Sequence, residues 1–246
     1  MASVLCKDKN EIFCAVWGNP GSSVFSSSKF DFERLKTIGR IIDTRILNLK
    51  RYDGYKGDEH HVTFDSYYKM VIPYLNLYIK TFNFNEEDFE YVPYFSKDMR
   101  FNFSYLKPKD DAHRFTLSIN GVVVGKHLKF DSLSNAKYIH KDSKVYFGEG
   151  IKNDDTEYQK IYRGSHACSV IINETIDNDK KIFISGDSMC IPIIPVLCCY
   201  YKKVVFMDNR DGKTHIDYFK DEIFDSVLIS FFEGGSENKY LGNNLM

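Results

Sequence analysis

The chain has 246 residues, enough to bury the core of one α/β domain without requiring a second. Its 33 Lys plus Arg balance 34 Asp plus Glu, so no net field favours nucleic acid or an anionic membrane surface. No apolar run approaches the ~20 residues that cross a bilayer, and Met1 to Asn10 lacks the charged start and apolar stretch of a secretory signal, so direct membrane insertion is not expected. Cys6, Cys14, Cys168, Cys190, Cys198 and Cys199 sit mostly in apolar surroundings, without disulfide-framework spacing or a Cys-x-x-Cys pair. They read as reduced core thiols, which favours the cytoplasm; a periplasmic or extracellular location applies if the chain is processed from an exported protein.

Glu11 to Trp17 reads as a buried strand, ended by the turn chemistry of Gly18-Asn19-Pro20-Gly21. Phe32, Leu35, Ile38 and Ile42 recur at helical spacing, and Ile46, Leu47 and Leu49 suggest a short strand before the polar stretch Lys50 to His61. From Thr63, a candidate N-cap with Asp65 in the first turn, Phe64, Tyr67, Tyr68, Val71, Leu75 and Tyr78 mark one face of a helix. Residues 91–150 change character. Arg100 to Tyr105 alternates, and Phe115, Leu117, Ile119, Val122 and Val124 flank Asn120-Gly121, a strong hairpin signal. This stretch is expected to be a β-rich insertion within the same domain.

The α/β rhythm then returns, with strands predicted at Lys181 to Ser185, Val204 to Met207 and Val227 to Phe232. Helices are predicted at Cys190 to Tyr201, with Pro192 near the first turn, and at Ile216 to Phe224. Such alternation builds a parallel sheet flanked by helices, with residues 1–90 and 151–246 forming the α/β core.

Gly186-Asp187-Ser188-Met189 lies between a strand and a helix, where open α/β sheets bind ligands and a helix start favours developing negative charge. A serine nucleophile needs that placement and also a base, because its hydroxyl is barely ionised at neutral pH. The alternative makes Ser188 an N-cap and Asp187 a turn residue. The conventional place for the base in small serine-hydrolase folds of this type, an Asp-x-x-His after the last strand, is empty, since no histidine follows His215. Asp58-Glu59-His60 and Asp111-Ala112-His113 are the Asp-x-His pairs in which a carboxylate could orient an imidazole. The second opens the predicted hairpin, whereas Asp58 and His60 sit in a polar loop within the α/β core, where a catalytic loop belongs. The bland alternative for His60 and His61 is a solvated helix entry. Asp58, Glu59, His60 and His61 also hold zinc-type donors, but no helical His-x-x-x-His or second ligand cluster accompanies them, and no metal is expected.

Tyr55-Lys56-Gly57-Asp58-Glu59-His60-His61 before an aromatic helix resembles the Asp-x-His-Trp or Asp-His-His-Trp segment of SGNH-hydrolase-like proteins that include alginate O-acetyltransferases. The N-terminal strand with its Pro-containing loop, and Phe183 to Arg210 with its Ser segment and Asp-x-Arg strand end, follow in the order of that family. The resemblance covers most of the chain outside the insertion. It implies an SGNH-hydrolase-like, flavodoxin-like α/β fold, with Ser188 as nucleophile, His60 as base and Asp58 as its orienting partner. His61 stands where the family carries Trp, and Gly21 and Ser22 follow Pro20 where the family carries a lysine.

With these residues, the resemblance implies an O-acetyltransferase or O-acetylesterase acting on a polysaccharide or glycan through an acetyl-serine intermediate. Arg210 is the candidate contact to a carboxylate or phosphate on substrate, the alternative being a loop arginine paired with Asp208 or Asp211. The Ser188 backbone N–H, with Gly164 or Asn19, is the candidate oxyanion hole. No cofactor is expected; a transferase would need an acetyl donor, for which a partner protein is one source. Exposed tyrosines near the insertion could stack on sugar rings. The competing reading is a non-catalytic glycan-binding or polysaccharide-assembly protein that keeps the fold.

Overall fold

The computed structural model describes residues 5–17, 32–49, 62, 66–96, 101–108, 116–118, 143–144, 168–173, 176–208 and 221–232. Five strands form the parallel part of an open sheet: β1 (Ile12–Trp17), β2 (Arg40–Asp43), β8 (Lys181–Gly186), β9 (Lys203–Asp208) and β10 (Ser226–Phe232). Their spatial order is β2-β1-β10-β8-β9, every neighbouring pair parallel. The last strand thus lies between β1 and β8, whereas the simple flavodoxin-like order would place it at an edge. Beyond β9 the sheet continues antiparallel through β7 (Cys168–Asn173), β5 (Thr116–Ser118) and β6 (Ser143–Lys144). β3 (Phe89–Ser96) and β4 (Phe101–Pro108) pair as a separate antiparallel ribbon.

The central strands are apolar on both faces because both faces are covered, as parallel sheets require. Phe13, Ala15, Trp17, Ile182, Ile184, Val204, Phe206 and Leu228 enter one core. Their chain neighbours, including Ile12, Cys14, Val16, Phe183, Val205 and Val227, enter the other. The first core is closed by the helical segments Tyr67–Val71, Ile72–Asn76 and Ser188–Cys198; the second takes Leu35 of α1 (Phe32–Ile38) and the N-terminal Leu5 and Cys6. Each such buried Leu, Ile or Phe contributes ~1.5–3 kcal/mol relative to exposure. The thiols of Cys6, Cys14, Cys190, Cys198 and Cys199 are reduced and buried. Burial pushes the Cys14 thiol up to about 12, which keeps it protonated and inert near neutral pH.

Sequence and structure part at three places. The short strand expected at Ile46 to Leu49 is instead β2, with Ile41 and Ile42 paired to β1 and Ile46 in a 3-10 turn at 69% exposure. Helical spacing running on to Ile42 is misleading because Gly39 stops α1: its N–H closes on the Leu35 carbonyl, and a Cβ there would lie 2.6 Å from the Ile12 carbonyl oxygen. The helix expected over Cys190 to Tyr201 is a 3-10 helix, Ser188–Ile193, followed by α3 (Ile194–Cys198). Pro192 and Pro195 both lack an amide hydrogen, so a regular α register cannot run through them. The helix after Thr63 opens as a π-helix, Tyr67–Val71, before α2 (Ile72–Asn76), and the Ile72 N–H donates to the Tyr67 carbonyl five residues back. Pro73 has no N–H for the Lys69 carbonyl, and the wider turn lets Tyr67, Tyr68, Val71, Ile72 and Leu75 all be buried. Thr63, Asp65, the Asn120-Gly121 turn and the expected helix from Ile216 through Lys220 lie outside the described residues; Asp221 to Phe224 is not helical.

The amino-terminal edge of the sheet is tied by polar groups. Glu222 receives Lys203 Nζ at 2.6 Å and Lys181 Nζ at 3.1 Å. Burial raises its pKa, but the two lysines outweigh that and hold the carboxyl below its usual value. Nearby, the Ser226 hydroxyl donates to buried Glu11 at 3.0 Å, and Thr81 bridges Ser226 and Tyr201 at 2.5 and 2.6 Å. Burial pushes the Glu11 carboxyl up, against the lowering effect of the Ser226 bond.

Candidate active site

In a parallel sheet every carboxyl end faces one edge, so Trp17 of β1, Asp43 of β2, Gly186 of β8 and Asp208 of β9 close the same side of the molecule. Asp187 and Ser188 leave that edge directly after β8. Asp187 caps the turn: its Oδ1 accepts the Met189 N–H at 2.8 Å, and its carbonyl accepts the Cys190 N–H at 3.0 Å. The capping role that the alternative reading gave to Ser188 is therefore filled by Asp187, and Ser188 is the first residue of the helix.

The turn sits on a close-packed floor. A Cβ on Gly186 would lie 2.6 Å from Cys190 Sγ and 3.0 Å from Ser230 Cβ, so only glycine lets the turn fold back onto β10. Ser230 accepts a short hydrogen bond from Trp17 Nε1. The Trp17 ring meets Tyr67 at 5.9 Å between centroids, tilted by 51°. Tyr67, at the head of the π-helix, donates its hydroxyl to the Met189 carbonyl at 2.7 Å, and both residues are fully buried. π-Turns recur beside functional sites because they redirect a side chain without ending the helix. The helix that follows the Asp58 to His61 segment is thereby bonded to the residue immediately after Ser188. Val62, next after His61, is fully buried in the same core.

Asp43, at the same edge, belongs to a different local structure. Arg45 donates to its two oxygens at 2.8 and 2.7 Å, and this hydrogen bonding holds its carboxyl below the usual value despite burial. Asp43 is thus engaged by Arg45 within its own turn.

Asp58, His60, Asn19, Gly164, Arg210 and the rival pair Asp111 and His113 lie outside the described residues, as does the side chain of Ser188. In sequence, Asn19 comes two residues after the end of β1 at Trp17, and Arg210 two after the end of β9 at Asp208. Among the described residues no group of three or more His, Cys, Asp or Glu is gathered as for a metal ion. No helix among them is long and apolar enough to cross a membrane. Sequence reasoning missed Tyr67 as more than a core residue. The signal was Pro192, which leaves Met189 needing a hydrogen-bond donor from elsewhere.

Comparison with known proteins shows the fold. No family model matches the chain, and no curated protein matches it. Among solved structures, PatB1 of Bacillus cereus with a sulfonyl adduct is similar at a TM-score of 0.67 and 17% identity, covering 97% of this chain and 88% of that one. A second structure of Bacillus cereus PatB1 is similar at a TM-score of 0.65 and 16% identity, covering 97% of this chain and 87% of that one. A DHHW family protein from Eubacterium siraeum DSM 15702 matches at 0.61 and 14%, covering 100% and 88%. The chain shares their α/β architecture along nearly its whole length.

Proposed function

We propose that the protein is a serine-dependent O-acetyltransferase or O-acetylesterase acting on a glycan, with Ser188 as nucleophile, His60 as base and Asp58 orienting the imidazole. The Ser188 oxygen attacks the acetyl carbonyl carbon as His60 takes the hydroxyl proton. The tetrahedral intermediate then expels the donor alcohol, which takes that proton from His60, leaving acetyl-Ser188. Water or a sugar hydroxyl next attacks the acyl carbon and gives its proton to His60. Ser188 leaves as an alkoxide that recovers the proton, releasing acetate or the acetylated sugar. The Ser188 backbone N–H, with Asn19 or Gly164, would steady the oxyanion, and Arg210 would hold an anionic group of the substrate. The donor is an acetyl ester or an acetyl-donating partner protein.

One observation carries this reading. The Tyr67 hydroxyl bonds to Met189 at 2.7 Å, tying the helix after the Asp58-His60 segment to the Ser188 turn at the ligand-binding edge of the sheet. Two facts support it. Asp187 already caps the turn, so a serine is not needed there for capping. A protein of the same fold is described with a sulfonyl adduct, and a sulfonyl group joined covalently to a protein marks a nucleophilic side chain.

The test is hydrolysis of p-nitrophenyl acetate and of an acetylated oligosaccharide. Ser188→Ala should abolish it and His60→Ala should cost nearly as much, since members of such a unit are strongly non-additive; Asp58→Asn should retain a fraction and His113→Ala should cost little. Activity lost at His113→Ala but kept at His60→Ala would move the base to the other pair. Full activity in Ser188→Ala would end the nucleophile assignment and leave glycan binding as the better account.

A further inference from the structure

In a 3-10 helix each carbonyl accepts the N–H three residues ahead. For Met189 that residue is Pro192, which has none. A buried carbonyl left bare is costly, and the structure supplies a substitute: the Tyr67 hydroxyl, 2.7 Å away, on a ring packed against Trp17.

We propose that Tyr67 is a positioning residue for the Ser188 turn, its hydroxyl standing in for the amide hydrogen that Pro192 lacks; the catalytic part of this inference rests on the Ser188 reading above. The chain has given up a local bond, within one turn, for a bond to another helix. The turn that bears Ser188 is therefore held from outside, by the helix that follows the Asp58-His60 segment. Loosening this bond loosens the placement of the nucleophile relative to its base. It does not remove a group that touches substrate.

The decisive variant is Tyr67→Phe, which keeps the ring against Trp17 and deletes the hydroxyl. Its kcat on an acetyl ester should fall about tenfold while KM stays within about twofold, as expected for lost orientation rather than lost binding. Amide hydrogen exchange at Met189 and Cys190 should quicken by about tenfold as the turn opens more often. Tyr67→Phe/Pro192→Ala should recover both quantities, because an alanine in place of Pro192 restores the missing N–H. Pro192→Ala alone should leave exchange at those amides close to wild type.

Unchanged kcat and exchange in Tyr67→Phe would overturn the inference. So would a double variant that melts like wild type yet remains as slow as the single. Absence of Ser188-dependent turnover in wild type would sink the acetyl-transfer reading. The exchange rates, which need no turnover, still decide whether Tyr67 holds the turn.

Discussion

Gly186→Ala puts a methyl group where the structure has no room for it. The new carbon would lie 2.6 Å from Cys190 Sγ, about 1 Å inside an ordinary contact of ~3.5–4.0 Å. Cys190 is fully buried and belongs to the same turn as Ser188, so relief comes by lifting the turn off β10 rather than by swinging a surface side chain. Overpacking of this kind costs about 1–3 kcal/mol. At ~2–4 °C per kcal/mol for a chain of this size, the melting temperature should fall by about 2–12 °C. A displacement near 1 Å at the nucleophile should also cost roughly 10²-fold in kcat. Gly186→Ala/Cys190→Ala removes the sulfur and leaves Ser230 Cβ at 3.0 Å and the residue-190 Cβ at 3.3 Å, a conflict of a few tenths of an ångström. Thermal melting and esterase rate on the three proteins make the test. A single variant as stable and active as wild type, or a double variant no better than the single, would refute the close-packing argument.

Two further outcomes concern the opposite edge of the sheet. Glu222 has its carboxyl pKa lowered in the fold, so it contributes stability above the unfolded carboxylate pKa, and that contribution is lost as pH falls through the folded value. Glu222→Gln should thus cost about 1 kcal/mol by urea unfolding at pH 7, with the gap closing toward pH 3; a pH-independent gap would count against it. Glu11 has the reverse sign: burial raises its pKa, so its ionised form costs stability as pH rises past the unfolded value. Glu11→Gln, which keeps an oxygen for the Ser226 hydroxyl, should be the more stable protein at pH 7 and lose that advantage in acid. Destabilisation at pH 7 would show that the ionised carboxylate is needed.

β1, β8, β9 and β10 could be read from the sequence because each is a short apolar run bounded by polar turn residues, the pattern of a strand covered on both faces. β2 could not be located that way, since Ile38 and Ile42 suit a helix until the close approach of Gly39 to Ile12 is known. The expected helix after Ser188 failed locally for a reason present in the sequence, the two prolines, whose effect on hydrogen-bond register outweighed the apolar periodicity. The Ser188 turn was legible because strand, Gly-Asp-Ser and helix are contiguous. Tyr67 was not, because Pro192 signals only that the Met189 carbonyl lacks a local donor, and nothing in the sequence points to a hydroxyl 122 positions away as the substitute. β7 escaped notice because its antiparallel pairing with β9 sets no crossover length that would mark it.

The central seat of β10 also governs how the molecule can be made. β1 pairs Ile12 to Val227 on one side, and β8 pairs Phe183 to the same residue on the other, so both strands present bare edges until Ser226–Phe232 has been synthesised. At a ribosomal pace of ~5–20 residues per second, β1 waits roughly 10–40 s for its partner. During that interval the β10-facing edge of an apolar strand, buried in the finished protein, stays open as a template for aggregation. The sheet therefore closes late and from its middle, through contacts of high sequence separation, the kind whose loop-closure entropy slows folding.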